Sequence, residues 1–420
     1  MAKLSAPKGT KDILPGESYQ WQYVESVLKQ IAKDFNFKEL RTPTFEATEV
    51  FARGVGDTTD VVTKEMYTFL DKGGRSITLR PEGTAGIARS FVEHGLYAGV
   101  LPLKLWYLIS CFRYEKPQAG RLREFHQFGI EMLGTTTPLA DAEAILFGNE
   151  IFKRFQIGNI TLNLNNIGCK ECRKAYNEKL KAFLEEKKDS LCETCQERLG
   201  KNPMRIFDCK SEICQSLIAD APTIFDSVCE DCKNHFEEVT NILDTVGVSY
   251  KIDKGIVRGL DYYSKTVFEF VSQNIGAQGT VLGGGRYDGL IADLGGNDAP
   301  GIGFAMGLER LLLLLGDSIP VADTTPRILL IPIGDDAKKV AWKLVSDLRS
   351  RGISAEYDIN CRSVKAQMKY ADKIGANYTV VLGDEEVSKN QYQLKNMQTG
   401  ESVTVALEQI ADILSETTEG

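Results

Sequence analysis

At 420 residues the chain is too long for one comfortable core, so two or three domains are expected. Its 43% hydrophobic and 26% charged content suits a globular protein, and a formal net charge of −8 argues against a bulk basic nucleic-acid binder while leaving room for a local basic surface. The opening MAKLSAPKGTKDILPGE lacks the apolar core of a signal peptide and no stretch approaches the ~20 apolar residues of a membrane span, so the expectation is a cytoplasmic protein away from membranes whose ten cysteines are reduced or bound to metal.

In chain order, Tyr19–Asp34 predicts an amphipathic helix with Trp21, Val24, Val27, Leu28 and Ile31 on one face. FNFKELRTPTFEATEVFAR reads as a strand broken by Pro43, then a helix. TFLDKGGRSITLRPEGT predicts a hairpin around Lys72-Gly73-Gly74, leading into a helix over Ala85–His94. The strand LKLWYLIS enters the charged segment FRYEKPQAGRLREFHQFGIE (Phe112–Glu131), and a second strand, REFHQFGIEML, leaves it. Asp141–Phe155 is helical. Ile160–Ser249 changes texture, with Lys/Glu-rich helical stretches and eight of the ten cysteines, and reads as an inserted helical module. GIVRGLDYYSKTVFEFVS and GTVLGGGRYDGLIADLGG are strand-like, and GIGFAMGLERLLLLLG is a glycine-rich strand running into a buried helix. Gly316–Pro326 reads as a linker. Beyond it, short apolar strands alternate with amphipathic helices over Asp336–Arg351 and Val364–Ile374, which predicts a small α/β domain with a mostly parallel sheet.

The densest chemistry lies in Phe112–Glu131, where Arg113, Arg121 and Arg123 flank the hinge Pro117-Gln118-Ala119-Gly120. Arginine suits planar, bidentate grip on phosphate. Arg258, in VRGLDYY, and Arg310, after a glycine series, likewise sit at element ends, and together these residues suit a triphosphate chain as well as ordinary surface ion pairs. The P-loop, dinucleotide-fold and kinase patterns are all missing. His126 neighbours Gln127 on an alternating strand and so is expected on the opposite face, in a structural role.

Three CxxC pairs, Cys169/Cys172, Cys192/Cys195 and Cys229/Cys232, and a fourth pair, Cys209/Cys214, read as structural zinc ligands or as unliganded thiols at helix ends. Proximity in sequence favours Cys192, Cys195, Cys209 and Cys214 in one site and Cys169, Cys172, Cys229 and Cys232 in the other.

FRYE, a loop and RLREF resemble motif 2 of class II aminoacyl-tRNA synthetases, and GIGFAMGLERL resembles motif 3. RGLDYYSKTVFEF and GGGRYDGL are similar to the two signature peptides of the histidyl-tRNA synthetase family, as are APKGTKDILPGE and TLRPEGT. The resemblance runs through nearly the whole chain. It implies a class II catalytic domain on an antiparallel sheet over 1–325, with 160–249 inserted, and an α/β anticodon-binding domain over 326–420. Phe35–Phe51 resembles motif 1, which implies a homodimer. The implied activity joins L-histidine to AMP using ATP with Mg²⁺, then to tRNA(His).

Residue roles follow from the resemblance. Arg113 holds the α-phosphate, Arg310 the γ-phosphate, and Arg121 stands near the γ-phosphate. Arg258 lies against both the α-phosphate and the histidine carboxylate. Glu115 accepts from the adenine amino group, Phe125 stacks on the ring, and Arg123 reaches the acceptor end of tRNA. Glu82, Thr84 and Gln127 bind the α-ammonium and backbone of histidine. Glu131 and Tyr263 read its two ring nitrogens, with Tyr262 and Tyr287 as pocket walls. A competing reading is the histidine-sensing regulatory subunit of ATP phosphoribosyltransferase, and a third is a nucleic-acid-binding module with a degenerate ATP site. The presence of Arg258, Tyr262, Tyr263, Arg310 and the C-terminal β-α-β region favours the ligase.

Overall fold

The computed structural model describes residues 4–56, 59–209, 211–256, 258–275, 279–321 and 325–416. The expected linker over Gly316–Pro326 includes residues 322–324, which lie outside the described residues, as does Val257 of the strand-like stretch before Arg258. The chain divides into two compact units, Met1–Pro320 and Val321–Gly420.

Strands of the first unit are β1 (Lys38–Glu39), β2 (Phe45–Ala47), β3 (Thr68–Leu70), β4 (Ser76–Leu79), β5 (Leu103–Phe112), β6 (Glu124–Leu133), β7 (Ile160–Asn166), β8 (Lys251–Ile252), β9 (Ser264–Ser272), β10 (Thr280–Tyr287) and β11 (Gly301–Gly307). Among the described residues, β1-β5-β6-β11-β10-β9-β7-β8 form one sheet and β2-β4-β3 a small second one. The large sheet is antiparallel from β5 through β7, with β1 and β8 added parallel at its two edges.

Period-two alternation makes this sheet two-faced. Phe128, Ile130 and Met132 of β6 and Ile302, Phe304 and Met306 of β11 enter the main core. There they meet helix Pro15–Asp34 (through Val24, Leu28 and Ile31), helix Pro138–Arg154 and helix Leu308–Leu315. The intervening positions, among them Gln127, Glu131, Gly303 and Ala305, belong to the opposite face. The first helix starts at Pro15 rather than Tyr19, because a proline at the first turn forgoes no helical hydrogen bond.

Two expectations change. The stretch GIVRGLDYYSKTVFEFVS is a strand only from Ser264 onward. Arg258, with a left-handed backbone at φ +60°, lies in a loop that runs to Tyr263. The module expected over 160–249 opens with β7, whose alternating Leu162 and Leu164 enter the main core and whose backbone pairs with β9. Its helices begin at Lys170, and its last helix, Glu230–Thr245, returns Phe236, Val239 and Leu243 to the main core. The rest of the insertion encloses a core of its own, including Tyr176, Leu180, Leu199, Ile206 and Ile218.

The second unit has strands β12 (Ile328–Pro332), β13 (Ala355–Tyr357), β14 (Tyr378–Leu382), β15 (Tyr392–Asn396) and β16 (Ser402–Val405), in the order β13-β12-β14-β15-β16. The expected mostly parallel sheet holds for β13-β12-β14 only. β15 pairs antiparallel with both β14 and β16; between β15 and β16 the short loop through Gly400 (φ +76°) reverses the chain and leaves no room for a crossover. β12 is apolar throughout because both faces are covered: Ile328 and Leu330 pack with helix Asp335–Ser350, Leu329 and Ile331 with helix Val364–Lys373.

A buried ionic cluster ties the first unit together. Arg286 of β10 is fully buried, its guanidinium paired with Asp141 and donating to the Thr135 carbonyl at 2.8 Å, while His235 Nε2 lies 2.8 Å from the same aspartate. Burial raises the Asp141 carboxyl, but the His235 hydrogen bond and Arg286 outweigh it and leave it below its ordinary range. Removing one partner strands the others without water, so Asp141→Ala is expected to cost about 3–5 kcal/mol in urea unfolding. A loss below about 1 kcal/mol, the range of exposed pairs, would show that the cluster is dispensable.

Candidate active site

The polar face of the sheet forms the floor of a cavity of about 250 Å³. Its walls include Glu82, Thr84, Arg113, Glu115, Arg121, Phe125, Gln127, Arg258, Tyr262, Tyr263 and Arg310, so the structure gathers most of the residues singled out in the sequence from segments far apart along the chain. Glu131 and Tyr287 are not on the wall. They are buried beneath it and joined by a hydrogen bond from the Tyr287 hydroxyl to Glu131 Oε2.

Glu131 is the hub of that floor. Thr84 Oγ1 donates to its Oε1 at 2.7 Å and the Tyr107 hydroxyl lies at 3.4 Å. Burial pushes its carboxyl up to about 8. A Cβ on Gly303 of β11 would sit 1.9 Å from Glu131 Oε2, so only glycine leaves space for the carboxylate. Tyr263 stands against Arg258 and Tyr262. Glu82 caps helix Thr84–Glu93, its carboxylate accepting the Thr84 and Ala85 N–H groups at 2.7 and 2.8 Å. Burial raises its carboxyl despite those bonds.

The cations are held in two ways. Arg113 Nε donates to the Pro81 carbonyl at 2.8 Å, and its Cζ lies 5.3 Å from the centre of the Phe125 ring. Arg310 Nη1 donates to the Thr280 carbonyl. The Arg310 guanidinium is below its ordinary value, first through burial and then because Arg121 and Arg113 repel it. Arg121 and Arg258 are paired with carboxylates, Glu115 and Glu269 respectively. The Glu269 charge outweighs burial and holds the Arg258 proton more tightly than usual. Arg258 Nε is buried with no hydrogen-bond partner among the described residues, and a Cβ on Gly283 would press on the same guanidinium at 2.4 Å.

The hinge between β5 and β6 closes through reciprocal backbone hydrogen bonds of Gln118 and Arg121. Arg123 stacks on Tyr114, 3.9 Å from its ring centre, and its backbone N–H donates to the Gly9 carbonyl, so the N-terminal segment braces this hairpin. His126 faces away from the cavity, with Nδ1 2.9 Å from Glu309 and its ring edge-on to Trp21.

Sequence reasoning missed Tyr107, Glu269 and Glu309. Tyr107 lies opposite Gly129 and Glu269 opposite Gly283 in the strand register. A glycine facing a large side chain was the available signal, but it requires the pairing to be known. Glu309 precedes Arg310 in an apolar run, which marks it without revealing its partner. The structure also gathers each predicted cysteine quartet: the thiols of Cys169, Cys172, Cys229 and Cys232, and those of Cys192, Cys195, Cys209 and Cys214, lie within 4.8 Å of one another.

A family model described as Histidyl-tRNA synthetase matches residues 9–311, and one described as Anticodon binding domain matches residues 327–417. The histidine–tRNA ligase of Acetivibrio thermocellus is 55% identical over 406 residues, covering 96% of this chain and 97% of that protein. The histidine–tRNA ligase of Caldanaerobacter subterraneus is 52% identical over 408 residues, covering 96% and 98%. Among solved structures, apo S. aureus histidyl-tRNA synthetase superposes with a TM-score of 0.84 at 40% identity, covering 98% of this chain and all of that one.

The raised Glu131 carboxyl makes stability pH-dependent. Folding favours its protonated form, so the associated stability is fully present below about 4.5 and is lost as pH rises through about 8. Between about pH 6 and about pH 9 the wild-type chain should therefore lose more stability in urea unfolding than Glu131→Gln, which carries no such charge. Parallel losses would contradict the burial of an ionisable group at this position.

Proposed function

The chain belongs to the histidyl-tRNA synthetase family, and from that premise we infer that it is a histidine–tRNA ligase. It activates L-histidine with ATP, releasing pyrophosphate, and transfers histidine from the adenylate to the 3′ end of tRNA(His). The observation that carries the site assignment is the convergence of Arg113, Arg121, Arg258 and Arg310 on one cavity, next to buried carboxyl and hydroxyl groups that suit a small polar ligand.

In the first step the histidine carboxylate attacks the α-phosphate in line. Two anions must approach, so the main requirement is fixed positive charge placed before reaction. Arg258 serves both: its buried, unpartnered Nε supports a role as donor to the carboxylate and the α-phosphate. Arg113, just past the end of β5, holds the α-phosphate. Arg310 and Arg121 take the γ-phosphate, an anion that would relieve their mutual repulsion. For Arg121 this means exchanging Glu115 for phosphate, which frees Glu115 to accept from the adenine amino group while Phe125 stacks on the ring. ATP would enter as its Mg²⁺ complex, the ion supplying further neutralisation of the phosphate charge beside Arg310 and Arg121.

Histidine selection falls to Glu131 and Tyr263 for the ring nitrogens, with Tyr262 and Tyr287 as walls and Glu82, Thr84 and Gln127 for the α-ammonium and backbone. A site whose buried polar groups require both ring nitrogens discriminates strongly, because any isostere leaves one of them unpaired. The C-terminal unit reads the anticodon through splayed single-stranded bases, and Arg123 meets the acceptor end. A cytoplasmic homodimer, with structural zinc on the cysteine quartets, belongs to the same proposal. The exposure of Phe45, Phe69 and Leu70 on the small sheet supports a second copy as its cover.

Arg258→Ala is expected to lower histidine-dependent ATP–pyrophosphate exchange by about 10²–10³-fold or more, with unfolding behaviour retained. Near-normal exchange would remove Arg258 from the mechanism. Glu131→Ala should raise the KM for histidine far more than that for ATP; equal increases would signify a general folding defect.

A further inference from the structure

Eight cysteines take no part in the cavity, yet the fold collects them with the geometry of a closed metal site. Sγ of Cys169 and Cys172 are 3.6 Å apart, and Sγ of Cys192 and Cys209 are 3.8 Å apart. A disulfide requires about 2.05 Å. A tetrahedral ion with zinc–sulfur bonds of about 2.3 Å holds its sulfurs about 3.8 Å apart.

The surroundings suit thiolates. Cys169, Cys192 and Cys229 each cap the N-terminus of a helix, Lys170–Glu185, Glu193–Lys201 and Glu230–Thr245. Backbone N–H groups donate to sulfur in both quartets: Cys229 to Cys172 at 3.1 Å, Cys192 to Cys214 at 3.4 Å and Ser211 to Cys209 at 3.4 Å. Such bonds stabilise the deprotonated ligand and orient it. Four sulfur ligands with no fifth group describe a structural site rather than a catalytic one.

The segments that these quartets anchor grip one loop of the active site. Arg173 follows Cys172, and Asn202 and Arg205 lie between Cys195 and Cys209. Arg205 Nη2 donates to the Gly259 carbonyl at 2.7 Å and to Asp261 Oδ1 at 2.9 Å. Asn202 donates to the same oxygen at 3.1 Å, and Arg173 Nη1 donates to the Asp261 carbonyl at 3.2 Å. Lys265, just beyond the loop, exchanges backbone hydrogen bonds with Ile167 and Gly168, immediately before Cys169. Tyr263 is itself part of the module's apolar core.

We propose that the inserted module binds two zinc ions, one on each cysteine quartet, and that the metal-braced module positions the Asp261 loop and with it Arg258, Tyr262 and Tyr263. Asp261 and Arg205 are positioning residues. The metal half stands independently of the assigned activity, whereas the positioning half rests on the histidine-binding role given above.

Elemental analysis of the purified chain is expected to find two zinc ions, and cobalt(II) substitution should produce the intense charge-transfer bands of tetrahedral thiolate ligation. Zinc near zero, or cobalt spectra without those bands, overturns the metal sites. Cys195→Ser and Cys232→Ser should each leave one zinc per chain; two retained in either variant overturns the assignment. Because cysteine variants can fail to fold, Arg205→Ala tests positioning with both quartets intact. In that variant the calorimetric Kd for histidine should rise about tenfold or more, while that for ATP should change by less than about twofold. An unchanged histidine Kd, or equal weakening of both ligands, overturns the positioning role. Wild-type protein that binds histidine but lacks histidine-dependent ATP–pyrophosphate exchange would defeat the ligase reading alone.

Discussion

Like charges crowded into one cavity are the constraint around which the catalytic unit is arranged. Arg113 and Arg121 repel Arg310, and all three are half-buried, short of some of the water that would otherwise screen them. Hydrogen bonds from Arg113 and Arg310 to the Pro81 and Thr280 carbonyls help fix the guanidinium groups in place. Arg121 and Arg258 pair with carboxylates, so these positions carry charge that a phosphate or a carboxylate can compete for. Preorganised charge of this kind lowers a barrier because it needs no rearrangement during the reaction.

Such an arrangement requires a rigid backing, and the two-faced antiparallel sheet supplies it. Phenylalanine, isoleucine and methionine on β6 and β11 bind the strands to the helices behind. The alternate residues include polar groups of the site and glycines that make room for them. Gly303 lies under Glu131 and Gly283 under Arg258, with no space for even a methyl group. The glycine-rich runs in β10 and β11 are thus the imprint of side chains that lie across them. In β10 one short peptide serves two purposes: its glycines open the cavity, while Arg286 turns to the other side and anchors Asp141 and His235.

The inserted module belongs to the site more closely than its composition suggests. Its helices contact the 258–263 loop through Asn202, Arg205 and Arg173, and share the packing of Tyr263. A segment that reads in sequence as a separate appendage therefore shapes the wall on which histidine selection is proposed to occur. Helix Glu230–Thr245 belongs to the same insertion and at once to the main core, so the two hydrophobic clusters support each other.

Much of this was legible in the order of residues. Helical and strand periodicity, the hairpin around Gly73, the charged segment after β5 and the motif resemblances all depend on neighbours in sequence, and local periodicity reflects the face that each element buries. The chain by itself thus determined its family, the residue types of its site and most of its elements. Only the tertiary structure decided which groups meet: that Glu131 is surrounded by Tyr107, Thr84 and Tyr287, that Arg258 sits with left-handed backbone in a loop before the strand, against Glu269, and that β15 and β16 run antiparallel. These facts depend on strand register and on contacts between segments far apart along the chain. Shifting a strand by a single residue would reverse every one of its side chains, and that choice is made by packing of the whole sheet rather than by any local run of residues.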